Sequence, residues 1–162
     1  MNKVFVIYDS VFGNTEKVAQ SIAAALGTQA IPVSQVEAGQ LPGLDLVVVG
    51  SPTRGFRPTE GIAKLLNRLS KNHLAGVRVA AFDTRIALET IDSKALRFIV
   101  DKGGYAAGTI AKALEKKGGQ LVAPCEGFYV TGEQGPLKDG ELDRAADWIQ
   151  KARDGCARGE KP

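Results

Sequence analysis

Two short turns hold the side chains best suited to chemistry. The first, Ser10-Val11-Phe12-Gly13-Asn14-Thr15, brings together two hydroxyls, a carboxamide and a glycine just before a helical pattern in Val18, Ile22 and Leu26. The first N–H groups of a helix have no partner within it, and the dipole places partial positive charge there, so such a turn suits an anion such as phosphate. Gly13 lets the backbone come close to a ligand. An N-cap turn using Asn14 or Thr15, with nothing bound, accounts for the same residues. The second turn runs Gly50-Ser51-Pro52-Thr53-Arg54-Gly55-Phe56 and leads to a helix from Glu60. Its plain reading is a strand-to-helix turn bent by Pro52, with Thr59 as helix cap and Arg57 solvated. A third segment, Asp83-Thr84-Arg85-Ile86, follows another apolar run, and its plain reading is a salt-bridged surface loop.

Each turn follows a run suited to a buried strand. Val4–Tyr8, Leu44–Gly50 and Val77–Phe82 are mostly apolar without alternation, as expected of parallel strands covered on both faces. Thr28–Val33 contains Pro32 and suits a sheet edge. Leu121–Val130 reads as the last strand. Helical spacing is present from Glu16 to Leu26, Glu60 to Leu69 and Tyr105 to Lys117, and again in Leu142, Ala145, Ala146 and Ile149. Ser93 to Val100 is a candidate short helix, and Ser34 to Leu44 holds at most one weak turn. Five strand–helix alternations without a repeat or linker predict a doubly wound α/β domain. Such sheets bind ligands beyond the carboxyl ends of their strands, where the strand order reverses.

Ser10–Thr15 resembles the phosphate loop of the flavodoxin-like FMN-binding family, which typically reads Ser/Thr-x-Thr-Gly-Asn-Thr. Phe12 departs from the hydroxyl at the third position and is similar to the aromatic of the quinone-reductase branch, Ser-x-Tyr-Gly-His. Gly50–Phe56 resembles the GTPTR-F segment of flavodoxin-like quinone reductases. The stretch from Phe128 to Leu142 is similar to the end of short-chain flavodoxin domains. The resemblance implies a five-stranded parallel sheet in the order 2-1-3-4-5, with helices on both faces and FMN at the switch point. Ser10, Val11, Phe12, Gly13, Asn14 and Thr15 would then hold the phosphate. Pro52, Thr53, Arg54, Gly55 and Phe56 would meet the ring, with Phe56 as an apolar wall and the Gly55 peptide turned to a ring nitrogen. Asp83, Thr84 and Arg85 would add ring contacts, with Tyr105 the nearest later aromatic. Residues 86–104 would cover the flavin as a lid or form a partner-docking surface.

At 162 residues the chain fits one domain, taken as 1–153, with 154–162 as a frayed tail. No apolar run approaches a membrane span. Met1-Asn2-Lys3 leads directly into a strand, which suits a cytoplasmic protein. His73 is the only histidine, and Cys125 and Cys156 are far apart, so no metal site is expected. Cys125 is expected as a buried thiol and Cys156 as an exposed one. Net charge is +3, without a dense Lys/Arg run, which argues against nucleic acid. It also departs from flavodoxin carriers, which are usually strongly acidic.

No nucleophile–base set stands out, and no catalytic side chain is assigned. GxGxxG and GxxxxGK[ST] are absent, and Gly50-Ser51-Pro52 occupies the position where a receiver domain needs its phospho-accepting Asp. The expected function is an FMN-binding redox protein passing electrons between a reductant and a protein partner. The alternative is an NAD(P)H-dependent FMN quinone reductase; a flavin-free binding module on the same scaffold is a third reading. Arg54, Arg57 and Arg85 near the ring would favour anionic reduced flavin and a less negative final reduction step. The oligomeric state is left open.

Overall fold

The computed structural model describes residues 3–54, 57–86 and 105–157, with 156 and 157 as backbone only. Its apolar runs become the strands of one parallel sheet: β1 (Val4–Tyr8), β2 (Ala30–Pro32), β3 (Leu46–Pro52), β4 (Arg78–Ile86), β5 (Gln120–Leu121) and β6 (Glu126–Val130). The order is β2-β1-β3-β4-β5, with β6 also paired to β4, so β5 and β6 share the fifth position of the expected 2-1-3-4-5 sheet. The described helices are α1 (Asn14–Ala25), α2 (Glu60–Arg68), α3 (Ala106–Lys116) and α4 (Glu141–Ala157).

Side chains along the central strands alternate between two cores. Val6, Val48, Ala80 and Phe82 pack under α1 and α4 with Val18, Ile22 and Ile149. Ile7, Val47, Val49, Val79 and Ala81 pack under α2 and α3 with Ile62, Leu65, Ile110 and Leu114. Both faces are therefore apolar, which is why these runs show no period of two in sequence. Phe82 is fully buried and lies over Gly50, its partner on β3; a Cβ there would sit 2.0 Å from the ring. Phe82, Phe128 and Trp148 meet edge to face, with ring centroids 6.0–6.4 Å apart.

The structure corrects the sequence reading at several places. β4 continues through Asp83-Thr84-Arg85, because β3 pairs with it as far as Thr84 and β6 as far as Ile86. Those residues are strand, not turn. The last strand is broken at Val122–Cys125, where Pro124 has no N–H to give to a ladder. Cys125 lies in that break and is exposed, not buried. The side chain of Cys156 and the candidate helix at 93–100 lie outside the described residues. α1 begins at Asn14 rather than Glu16, and α4 runs on to Ala157, past Asp154. The weak turn expected in 34–44 is two short 3-10 turns, Val33–Gln35 and Ala38–Gln40. No helix among the described residues is long and apolar enough to cross a membrane.

Candidate functional site

The carboxyl ends of β1, β3, β4 and β6 open onto one cleft. β1 leads to Ser10, Val11, Phe12, Asn14 and Thr15, and β3 to Pro52, Thr53 and Arg54. β4 contributes Thr84, Arg85 and Ile86, and β6 contributes Val130 and, just beyond it, Glu133. The two turns singled out in the sequence thus face each other across the end of the sheet.

The α1 side of the cleft is rich in donors. Gly13 is the N-cap of α1 at φ 91°, a left-handed conformation that a residue with a Cβ adopts only with strain. No side chain on the cap residue satisfies the helix start. Ser10 Oγ accepts from the Gly13 N–H (3.1 Å) and the Glu16 N–H (3.4 Å), so its own hydrogen is left to donate. The N–H groups of Val11, Phe12, Asn14 and Thr15 find no acceptor among the described residues. Asn14 and Thr15 are nonetheless buried, at 8% and 1% exposure. The Asn14 amide is spent on Gln134 O (3.0 Å), which ties the loop after β6 to the start of α1. Thr15 Oγ1 and Thr84 Oγ1 share one hydrogen bond of 2.8 Å, leaving the pair one further hydrogen. Convergent N–H and O–H donors at a helix start, with no carboxylate among them, fit a phosphate.

The opposite side is built on a buried charge pair. Asp83 is fully buried and takes a bidentate grip from Arg85, Nε to Oδ1 at 2.7 Å and Nη2 to Oδ2 at 2.8 Å. The Ala107 N–H also donates to Asp83 Oδ2 (2.9 Å), and the Ala106 N–H donates to Thr53 Oγ1 (3.1 Å). Asp83 and Thr53 therefore cap α3 from neighbouring strands. Burial pushes the Asp83 carboxyl above its ordinary value, more than Arg85 and the Ala107 N–H pull it down. Arg85 lies over Gly127, where a Cβ would sit 2.0 Å from Nε, and its guanidinium carbon is 3.6 Å from the Tyr105 ring centroid. The cation is thus fixed from three directions at the wall of the cleft.

The expected residues fall into four groups. Ser10, Val11, Phe12, Asn14, Thr15, Pro52, Thr53, Arg54, Thr84 and Arg85 border the cleft. Gly13 sets the α1 cap. Asp83 and Tyr105 lie behind Arg85 and position it. Gly55 and Phe56 lie outside the described residues. Ile86, the last residue of the third segment, also borders the cleft; Val130 and Glu133 border it but were not anticipated, and their place at the end of β6 was the available signal. Among the described residues no cluster of three potential metal ligands forms.

Solved structures share this architecture. Flavodoxin 1 from Bacillus cereus aligns with TM-score 0.73 at 17% identity, covering 94% of this chain and 98% of its own. A flavodoxin, WrbA-like protein from Agrobacterium tumefaciens aligns with TM-score 0.62 at 16% identity, covering 93% of this chain and 97% of its own. Rubredoxin oxygen:oxidoreductase from Desulfovibrio gigas aligns with TM-score 0.70 at 18% identity, covering 98% of this chain but 37% of its own. At these identities the likeness is one of fold. No curated protein matches the chain. The flavodoxin domain profile matches residues 5–128, most of the chain, and with the sheet order and the position of the cleft it shows that this protein belongs to the flavodoxin family.

Proposed function

We propose that the protein is an FMN-binding redox protein that passes electrons between a reductant and a protein partner. The observation that carries this reading is the set of four N–H groups without an acceptor among the described residues, those of Val11, Phe12, Asn14 and Thr15, at the sheet's switch point. They would hold the phosphate together with the Ser10 hydroxyl. Bound FMN supplies one- and two-electron redox chemistry, and the chain supplies position and electrostatics. Thr53 and Arg54 offer polar groups at one edge of the cleft, while Ile86 and Val130 offer apolar surface. Arg85 presents a cation that cannot swing away, because Asp83, Tyr105 and β6 hold it. A fixed positive charge beside the ring favours the more negative oxidation state.

The test is absorption of the purified chain after incubation with FMN and gel filtration. Flavin bands that co-elute with protein support the reading; a colourless protein that leaves FMN fluorescence unquenched leaves only a flavin-free scaffold. The quinone-reductase reading rests on Pro52-Thr53-Arg54 at the rim, and NAD(P)H bleaching of the bound flavin would favour it over electron transfer.

A further inference from the structure

We infer that the rim formed by Arg54, Arg57, Val11 and Phe12 is a docking surface for an acidic redox protein; the choice of a redox partner rests on the FMN reading, and the sign of its charge does not. The backbones of Arg54 and Arg57 exchange both hydrogen bonds, Arg54 N–H to Arg57 O at 2.8 Å and the reverse at 3.0 Å. This is the pairing of directly opposed residues in an antiparallel ladder, which puts the two side chains on the same face. Like charges so placed repel; both residues are exposed, and among the described residues neither guanidinium has a carboxylate partner. Arg85 and Arg144, by contrast, are paired with carboxylates. A repelling cation pair kept at a fixed spacing is suited to an anionic surface that arrives from outside.

The neighbouring surface supplies the apolar part. Val11 is 49% exposed and Phe12 44%, two of the three large apolar side chains left exposed among the described residues. Both border the same cleft as Arg54. An exposed apolar patch flanked by arginines has the composition of a transient protein interface. Glu133, exposed on the loop after β6, is the one carboxylate among the described residues bordering the cleft, and it forms no ion pair with Arg54 or Arg57. A second copy of the chain docked symmetrically would set arginines against arginines, which disfavours self-association through this face.

The test measures binding of FMN-loaded protein to two labelled probes by anisotropy: a small acidic iron–sulfur ferredoxin and basic cytochrome c. The acidic probe should bind more tightly than cytochrome c, and its affinity should fall steeply between about 20 mM and about 200 mM salt. Arg54→Glu/Arg57→Glu should weaken the acidic probe about tenfold or more, while Lys112→Glu/Lys116→Glu, the same change in net charge at exposed sites late in α3, should weaken it less than about twofold. Arg57→Glu alone, at a residue that does not border the cleft, should keep a loss of about threefold or more even if the double variant disturbs flavin binding. Equal losses in the two double variants, no binding of the acidic probe, or loss of NADPH bleaching with ferredoxin affinity intact would each overturn the inference. Ferredoxin binding by protein without flavin bands would instead overturn the FMN reading and leave the docking surface standing.

Discussion

Helices α1 and α3 both start beside the cleft, and both must deal with N–H groups that have no partner inside the helix. They do so in opposite ways. At α3 the protein supplies its own anion: Asp83 accepts from Ala107, Thr53 from Ala106, and the Gly108 N–H turns back to Tyr105 O. At α1 the Asn14 and Thr15 N–H groups find no acceptor among the described residues, and Glu133, the one described carboxylate bordering the cleft, is not bonded to them. The carboxylate closest in sequence, Glu16, instead accepts from the Tyr8 hydroxyl at 3.3 Å. An internally capped helix start is closed to ligands, whereas one left open to a donor-lined cleft is a site. The two differ because β4 carries an acid where it faces α3 and a threonine where it faces α1, on alternate sides of one strand.

The largest effect should come from breaking the internal cap. Asp83→Ala leaves the Arg85 charge and the Ala107 N–H without their acceptor, and should cost about 3–5 kcal/mol of unfolding free energy in a denaturant titration. A loss below about 1 kcal/mol would mean that Arg85 finds another partner or water. Gly127→Ala should cost about 1–3 kcal/mol by pushing Arg85 from its place against Tyr105, and should alter the spectrum of bound flavin if Arg85 meets the ring.

The open end should behave differently. Thr15→Val removes the 2.8 Å bond to Thr84 and one donor, and should weaken FMN binding by about tenfold, roughly 1.4 kcal/mol. FMN at about a hundred times its dissociation constant should stabilise the native chain by about 2.7 kcal/mol in a thermal melt, and Thr15→Val at the same FMN concentration by visibly less. A ligand-independent melting temperature would show that α1 is closed after all.

The smallest effect concerns the start of α4. Glu141 Oε2 accepts from the Tyr129 N–H at 2.7 Å and pairs with Arg144. Burial pushes its carboxyl up, but the Arg144 and Tyr129 bonds outweigh that and hold it below the ordinary 4.5. The unfolded chain therefore takes up this proton first as pH falls, so the stabilisation is present above about pH 4.5 and lost below it. Glu141→Gln should flatten the acid side of the stability–pH curve. The raised Asp83 carboxyl works with the opposite sign, contributing less as pH rises through its range. A Glu141→Gln curve with unchanged slope would show that other carboxylates dominate acid unfolding.

Where sequence and structure agree, the signal was local. The β1 run, the Gly13 turn and the helical spacing after it involve neighbours within a few residues, and burial on both faces makes the strand runs unmistakably apolar. Pro32 marked an edge strand for the same reason. The misread stretches depended on partners far along the chain. Asp83-Thr84-Arg85 looks like a surface turn because it is charged, and it is strand because β3 and β6 extend beside it and Asp83 meets the N-terminus of α3. Cys125 sits in an apolar run and is exposed because Pro124 interrupts the ladder there.

The sequence by itself determined the alternating elements, the sheet type and the two turns that meet at the cleft, since hydrophobic runs, glycines and helix starts act over short range. Only the tertiary structure decided which polar groups are spent and which are free. Asn14 is committed to Gln134, Thr15 to Thr84, Thr53 to Ala106 and Asp83 to Arg85, while Arg54 and Arg57 have no carboxylate partner among the described residues. Each of those pairings except Asp83–Arg85 spans 53 or more residues of chain. A hydrogen bond forms only where two groups come within about 3 Å in the right direction, and for distant residues the packing of sheet and helices sets that meeting.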